Sequence, residues 1–206
     1  MILLALDTTS AVASAALFRD GRLVDERAAD SGKKHAETAL PLLDELLEEN
    51  GVSIENVDLF AVDIGPGSFT GVRIGVSLVN ALAFATGKKV VPVNALFALY
   101  TASGERERPV CAMIDARNGN AYAALYQAGV ERIVSEGAEI EAFLTRVPAD
   151  TAFVGDVHAA AKTYPQAEFV GRAALLRLET ALDAVEPLYL RPPQAERLRT
   201  LPVGEI

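Results

Sequence analysis

An internal repeat constrains the fold of this 206-residue chain more than any other feature. Residues 5–21, ALDTTSAVASAALFRDG, align without a gap with residues 113–129, MIDARNGNAYAALYQAG, at an offset of 108 positions. The identical pairs are Asp7/Asp115, Ala13/Ala121, Ala15/Ala123, Ala16/Ala124, Leu17/Leu125 and Gly21/Gly129. Each copy is typical of a buried strand that ends in aspartate, a polar turn, a second strand and a glycine turn, which together indicate a β-hairpin. Chance likeness between two amphipathic hairpins is the competing interpretation.

The order of elements after each hairpin favours a duplication. The apolar spacing predicts first-half elements over residues 34–50 (helix), 57–63 (strand), 69–86 (helix), 89–93 (strand) and 95–102 (helix). The second half continues with a helix at 139–147, a strand at 151–156 and a further helix. Pro41 predicts a kink in the first helix, or a start near Leu40. We therefore expect an α/β protein of two lobes, each a mixed β-sheet with flanking helices, divided near the polar stretch at 103–108.

Composition excludes several classes of function. Hydrophobic residues make up 50% of the chain, enough for a substantial core, and the net charge is −9. Such a chain lacks the clustered lysines and arginines that neutralise nucleic-acid phosphates, so a partner is expected to hold any RNA. The single cysteine, Cys111, excludes an internal disulfide. No apolar run reaches the ~18 residues of a membrane span, and Asp7 interrupts the apolar N-terminus, so we expect a cytoplasmic protein.

Four aspartates stand at predicted strand ends: Asp7, Asp63, Asp115 and Asp156. In α/β proteins, ligands bind in the crevice beyond the ends of the strands. Paired carboxylates there could hold a divalent metal, or each could simply cap the turn or helix that follows it. The residues alone leave both interpretations open.

The stretch VDIGPGSFTGVRIG, from Val62 to Gly75, indicates a strand-to-helix turn. It is not a Walker A loop, because no lysine follows the glycines, and its G-x-G-x-x-x-G spacing is one residue longer than the dinucleotide fingerprint. Free N–H groups at the start of the helix could attract an anion, whereas Ser68 could equally cap them. We favour a tight turn over a phosphate site.

The predicted helix over residues 69–86 is apolar on almost every face, so it must be covered on all sides. Gly71 and Gly75 lie four residues apart, a spacing that allows another backbone to approach closely. Either the chain's own core or a second molecule covers this helix. On the second interpretation, the substitution Gly75→Arg is expected to abolish dimerisation and leave the monomer folded.

Five blocks resemble the TsaB (YeaZ) family: LALDTTS, DIGPGSFTGVRIG, VNAL, IDARNGNAY and PLYLRPPQAE. They occur in the family's order between residues 3 and 196, so the resemblance covers nearly the whole chain. It implies a duplicated actin-like ATPase fold of the ribonuclease H-like kind. The N-terminal lobe, 1–104, would carry the dimerisation helices, and the C-terminal lobe, 105–206, would include the tail.

The resemblance also implies a role in tRNA modification. TsaB-family proteins are regarded as non-catalytic paralogues of TsaD, with which they pair, together with the ATPase TsaE. The complex transfers threonylcarbamoyl to the adenosine next to the anticodon of tRNAs that read codons starting with A. TsaD carries two metal-binding histidines in an H-x-x-x-H element, and the matching stretch here, VNALFALY, places Ala95 and Leu99 at those positions. Neither side chain binds a metal, so the resemblance implies a scaffold and activator and not an enzyme.

The site residues follow from the same resemblance. Helices at 36–50 and 69–86 are expected to bind TsaD, or a second copy of the chain when TsaD is absent. The partner-binding residues are Leu40, Leu43, Leu47, Phe69, Gly71, Val72, Gly75 and Val79. A vestigial nucleotide site would comprise Asp7, Thr8, Thr9 and Asp115. No metal or cofactor is expected in this chain alone; ATP or ADP would lie at the complex interface, and tRNA would be reached only through the complex.

Two other functions stay open on the sequence. A stand-alone actin-like ATPase or kinase would use Asp7, Thr8, Thr9 and Asp115 around Mg-ATP. A glycoprotease-like peptidase, which older family names imply, would need a nucleophile dyad or the missing histidine pair, and the sequence offers neither.

Overall fold

The chain forms two β-sheets in succession, seen here in a computed structural model that describes residues 1–30 and 34–191. The first sheet consists of β1 (Ile2–Asp7), β2 (Val12–Arg19), β3 (Arg22–Asp30), β4 (Leu59–Asp63) and β5 (Lys89–Val93), in the order β3-β2-β1-β4-β5. The second consists of β6 (Val110–Asp115), β7 (Asn120–Gln127), β8 (Val130–Glu139) and β9 (Ala152–Gly155), in the order β8-β7-β6-β9.

Both sheets are mixed and share one topology. In the first, β1 pairs with β2 antiparallel and with β4 parallel. In the second, β6 pairs in the same way with β7 and β9. The second sheet therefore repeats the first without its last strand, which confirms the predicted α/β fold of two mixed sheets with flanking helices.

The two hairpins differ by one residue in register. In the first, Asp7 lies opposite Ser14, whereas in the second Asp115 lies opposite Ala121 and not opposite Tyr122, the residue 108 positions after Ser14. Since successive side chains of a strand point to opposite faces, a shift of one residue turns a side chain to the other face of the sheet. The gapless match of Asp7 with Asp115 is thus not a structural equivalence.

The sheets and helices stack in five layers. The helices are α1 (His35–Glu49), α2 (Phe69–Thr86), α3 (Ala95–Ser103), α4 (Ile140–Leu144) and α5 (Ala167–Leu175). One apolar core joins α1 and α2 to the outer face of the first sheet, and another joins α4 to the outer face of the second. The central core lies between the sheets and includes α3 and α5.

Local sequence explains where the helices begin and end. The Ser68 hydroxyl accepts a hydrogen bond from Gly71 N at 3.2 Å at the start of α2, and Gly87 ends it with a φ of 67°. These are the preferred N-cap and C-cap chemistries. Pro41 lies inside α1, so the expected start near Leu40 was wrong. The helix continues through the proline because four leucines pack on the first sheet: Leu42, Leu43, Leu46 and Leu47.

Helix α5 comes from the second half of the chain but packs on the first sheet. Its first N–H groups donate to that sheet: Ala167 N to Ser14 Oγ at 2.8 Å and Glu168 N to Glu26 Oε1 at 2.7 Å. A Cβ on Gly171 would lie 2.1 Å from the Phe18 ring, so only glycine allows this close approach. Conversely, α3 packs on β6, β7 and β9 of the second sheet.

Three other expectations needed correction. The helix predicted at 139–147 is the five-residue α4, and the strand predicted from 57 starts at Leu59 after a 3-10 turn over Ile54–Asn56. Among the described residues, α2 is long and apolar enough to cross a membrane by length and composition, although we expected no such segment. In this fold six of its residues are buried, and its inner face packs on the first sheet.

Candidate functional site

A cleft of about 700 Å³ opens between the two halves of the chain. Its walls are the loops that follow β1, β4, β6 and β9, together with residues 188–191. Four aromatic rings face it, from Phe69, Tyr122, Tyr164 and Tyr189. The cleft therefore lies beyond the carboxyl ends of the parallel strands, where ligands bind in α/β proteins.

Two aspartates meet beneath this cleft. Asp7 ends β1 and Asp63 ends β4, and neither side chain is exposed to solvent. Thr9 Oγ1 donates to Asp7 Oδ1 at 2.7 Å and lies 3.4 Å from Asp63 Oδ2. Backbone N–H groups complete the turns: Thr9 N donates to Asp7 Oδ1 at 2.9 Å, and Gly65 N donates to Asp63 Oδ1 at 2.7 Å. We call Asp7 and Asp63 the acid pair.

Burial dominates the electrostatics of the acid pair. It raises the pKa of Asp7 from an ordinary 3.8 to about 7, against the hydrogen bonds from Thr9. It also raises the pKa of Asp63 well above the ordinary value, and the nearby Asp7 charge adds to that rise. A carboxylate taken out of water loses solvation that two or three hydrogen bonds replace only in part.

The aspartates of the second sheet lie at the open cleft instead. Asp115 Oδ1 accepts from Arg117 N at 2.8 Å, and Asp156 Oδ1 accepts from Asp115 N at 2.8 Å. Both residues line the cleft, and Asp115 is exposed. Their observed contacts are turn-capping hydrogen bonds, and no group of three histidine, cysteine or acidic residues suited to a metal occurs in residues 1–30 and 34–191.

The glycine loop is packed against the turn that follows β1. Ser68 N donates to Thr9 O at 2.8 Å, and Thr8 Oγ1 donates to Gly71 O at 2.7 Å. A Cβ on Gly71 would lie 2.0 Å from Thr8 O, and a Cβ on Gly75 would lie 2.4 Å from Thr8 Oγ1. These glycines make room for the chain's own turn, not for a partner. This packing argues against a folded Gly75→Arg monomer, and we now expect that substitution to disrupt the fold.

The residues predicted for a vestigial nucleotide site are only partly together at the cleft. Thr9 and Asp115 line it. Asp7 and Thr8 have no exposed surface and lie beneath the floor, so neither contacts a ligand in this arrangement.

Most residues predicted to bind a partner are buried in the chain's own core. This applies to Leu43, Leu47, Gly71, Val72, Gly75 and Val79, which pack against the first sheet and its loops. Because they lie on the inner faces of α1 and α2, they are not accessible to a partner. Leu40 and Phe69 are at the surface, 51% and 36% exposed. Phe84, at 89%, is the more exposed apolar side chain on α2 and was not singled out from the sequence.

An aromatic and arginine cluster at the cleft mouth was also missed. The Phe69 and Tyr189 rings are 5.0 Å apart, and the Arg73 guanidinium lies 3.9 Å from the centre of the Phe69 ring. Arg73 Nε donates to the Tyr189 hydroxyl at 2.7 Å. The block PLYL contains Tyr189, but no spacing connects it with a residue 116 positions earlier. The rest of that block, from residue 192, lies outside the described residues.

Helix α3 carries the two positions at which the catalytic paralogue would place imidazoles. Ala95 and Leu99 are both completely buried, and Leu99 belongs to the central core. Asn94 caps the helix by accepting from Leu96 N at 2.8 Å. The helix is thus a packing element between the sheets.

The sequence of this chain is similar to those of known proteins. Residues 27–170 match the family model described as TsaD, tRNA N6-adenosine threonylcarbamoyltransferase. Curated relatives called tRNA threonylcarbamoyladenosine biosynthesis protein TsaB include those of Haemophilus influenzae, 38% identical over 59% of this chain, and Escherichia coli, 34% identical over 70%. The matches cover 52% and 62% of those two proteins, so the chain spans about half to three fifths of their length.

Two solved structures cover the fold almost completely. YeaZ from Pseudomonas aeruginosa is 33% identical, with a TM-score of 0.74, over 92% of this chain and 99% of that one. A second structure, described as similar to peptidase YeaZ from Pseudomonas aeruginosa, is 32% identical with a TM-score of 0.80 over the same shares. Together with the family model, these similarities show that the chain belongs to the TsaB (YeaZ) family of actin-like proteins.

Proposed function

We propose that this chain is a non-catalytic scaffold and activator subunit in tRNA threonylcarbamoyladenosine synthesis. It pairs with TsaD, and with TsaE, for threonylcarbamoylation of the adenosine next to the anticodon in tRNAs that read A-starting codons. The names of its curated relatives support the tRNA modification. The non-catalytic role and the partners are our inference from the chemistry of the site.

The observation that carries the proposal is the burial of Ala95 and Leu99 at the helix where the paralogue would hold a metal. Apolar side chains offer no ligand atoms, and their complete burial leaves no room for an ion. The turn after β1 supports the same inference, since Asp7 and Thr8 are sealed beneath the cleft. We therefore expect no cofactor in this chain alone, with ATP or ADP held only at the complex interface.

The outer faces of α1 and α2 support a partner surface. Phe84 and Leu40 are exposed there, and the exposed residues of α2 also include Ala81 and Ala85. Large exposed apolar side chains on a helix are typical anchors of protein interfaces. We propose that this face binds TsaD and forms a homodimer when TsaD is absent. With a net charge of −9, the chain reaches tRNA only through the complex, in the cytoplasm.

Substitution Phe84→Glu tests the partner surface. It places a charge in the proposed contact and is expected to weaken binding to TsaD roughly 10-fold or more, because a buried aromatic anchor is replaced by an unpaired carboxylate. The matched control is Val134→Glu, an apolar residue on β8 that is 69% exposed. Isothermal calorimetry with purified TsaD gives both affinities. Equal affinity for the two variants would contradict the assignment of this face.

Co-purification with TsaD, followed by a tRNA modification assay with and without the chain, tests the role itself. We expect modification by TsaD and TsaE to depend on the added chain. The stand-alone ATPase makes the opposite prediction: micromolar ATP binding and turnover by the purified chain. Either that turnover or full modification without the chain would sink the scaffold proposal.

A further inference from the structure

The acid pair leaves one oxygen unaccounted for. Asp7 Oδ2 is buried and accepts no hydrogen bond from any described residue. The two carboxyls are neighbours, because the same Thr9 hydroxyl lies 2.7 Å from Asp7 Oδ1 and 3.4 Å from Asp63 Oδ2. Two ionised carboxylates cannot bond to each other because neither has a proton to donate, and an unpaired buried carboxylate oxygen is costly.

The surroundings offer no positive charge to compensate two buried negative ones. In the described ranges 1–30 and 34–191, no lysine or arginine forms an ion pair with Asp7 or Asp63. The charged groups that face the pair are acidic: Glu26 on β3, with Glu168 of α5 beside it. On α1, the Nε2 atom of His35 lies 2.8 Å from Ser10 O, so this ring nitrogen is engaged with the backbone and not with the acid pair.

We propose that the acid pair holds one shared proton, carried by Asp63 and donated to Asp7 Oδ2. The bond gives the orphaned oxygen its donor and reduces the buried charge from two to one. All other contacts are compatible with it: Gly65 N donates to Asp63 Oδ1, while Thr9 N and Thr9 Oγ1 donate to Asp7 Oδ1. Asp7 is the natural acceptor, since it receives two of these three donors.

The shared proton links the loops that build one wall of the cleft. Asp7 begins the turn that carries Thr8 and Thr9, and Asp63 begins the glycine loop. Ser68 N to Thr9 O, Thr8 Oγ1 to Gly71 O and Ala95 N to Gly65 O then join these loops to each other and to α3. Loss of the proton leaves two like charges between the loops, so the wall loosens as pH rises. The acid pair is therefore a pH-sensitive clasp under the cleft.

The sign of the pH dependence follows from the raised pKa values. Unfolded aspartates lose their protons near pH 3.8, whereas burial and the nearby Asp7 charge raise the pKa of Asp63, the proton carrier, well above that value in the folded chain. Between these limits the folded chain holds more protons than the unfolded one, so unfolding releases protons. The contribution of the acid pair to stability is therefore complete below about pH 4 and is lost as the pH rises through the raised pKa of the pair. Burial also raises the pKa of Glu26, which adds to the fall in the same direction.

The decisive test is the pH profile of Asp63→Asn. The asparagine Oδ1 still accepts from Gly65 N, and its Nδ2 donates permanently to Asp7 Oδ2. In the parent chain, we expect the thermal midpoint to fall by roughly 5 °C or more between pH 5 and pH 8, with about one proton released on unfolding. In Asp63→Asn we expect this fall to be smaller, because the asparagine Nδ2 donates to ionised Asp7 at every pH. The matched control, Asp156→Asn at the equivalent strand end of the second sheet, keeps the parent profile.

Carbon-13 NMR of the aspartate carboxyls in the unmodified chain tests the proposal without a substitution. One carboxyl of the acid pair should stay protonated at pH 6. Ionised Asp7 and Asp63 at pH 6 would overturn the proposal, as would a pH profile in Asp63→Asn identical to that of the parent. A thermal midpoint at pH 8 that depends on which cation is added would also overturn it, because a bound cation would then replace the proton.

Discussion

The first and second sheets end their central strands in aspartates, yet only the first brings two carboxyls together. In the first sheet, Asp7 and Asp63 lie side by side and are sealed from solvent. In the second, the hairpin is one residue out of step, and Asp115 donates its own N–H to Asp156 at the edge of an open cleft. The difference teaches that a repeated sequence need not give a repeated site, since one residue of register decides which face a side chain occupies.

The largest effect is expected for a substitution that disrupts the packing of the glycine loop against the turn after β1. Gly71→Ala places a Cβ 2.0 Å from Thr8 O. This backbone atom belongs to the residue after Asp7, so it cannot move unless the acid pair moves with it. We expect the free energy of unfolding to fall by about 3 kcal/mol, although alanine is the better helix former. Urea denaturation followed by circular dichroism measures this.

Gly119→Ala in the turn between β6 and β7 is the control for Gly71→Ala. That glycine has a φ of 72° but open space around its Cβ position. The cost is then only the left-handed backbone, about 1 kcal/mol. If Gly71→Ala and Gly119→Ala lower the free energy of unfolding equally, close packing at the glycine does not distinguish the first half of the chain from the second.

An intermediate effect is expected at α5, the helix from the second half of the chain that packs on the first sheet. Ser14→Ala removes the acceptor of Ala167 N and leaves that buried N–H unpaired, so we expect a loss of about 1–2 kcal/mol. The second sheet has Ala121 opposite Asp115 and caps no helix there. Thr145→Ala, which removes an exposed hydroxyl bonded to Ala142 O, is the control and should change stability by under ~0.5 kcal/mol. If Ser14→Ala is as mild as this control, the capping of α5 by the first sheet contributes little.

The smallest effect is expected for Asp156→Asn in the open site. The asparagine oxygen can still accept from Asp115 N, and the site is accessible to water, so stability should change by under ~0.5 kcal/mol at pH 5 and at pH 8. Chemical denaturation at the two pH values measures it. A marked gain in stability at pH 8 alone would mean that the second site also holds a buried charge, and the contrast between the sheets would fail.

Much of the fold follows from local patterns. The hairpin repeat predicts both sheets, and Ser68 and Gly87 predict the ends of α2. The site follows less well. Periodicity identifies the small-residue face at Gly71 and Gly75 but not what lies against it, which is Thr8. No local signal shows that Ser14 caps a helix 153 residues away, because that contact depends on how the layers stack. The burial of Asp7 and Asp63 was unpredictable for the same reason, since polarity alone favours the surface.

Helix α5 packs on the first sheet and α3 packs on the second, and this arrangement has a consequence for folding during synthesis. The inner face of the first sheet, including Phe18, is covered by α5. The ribosome makes this helix only after all the strands of the second sheet. Until Ala167–Leu175 emerges, that face stays apolar and open, so residues 1–104 cannot complete the central core on their own. We therefore do not expect the predicted lobes, 1–104 and 105–206, to fold independently of each other. The nascent chain would be most prone to aggregation between the synthesis of β5 and the synthesis of α5.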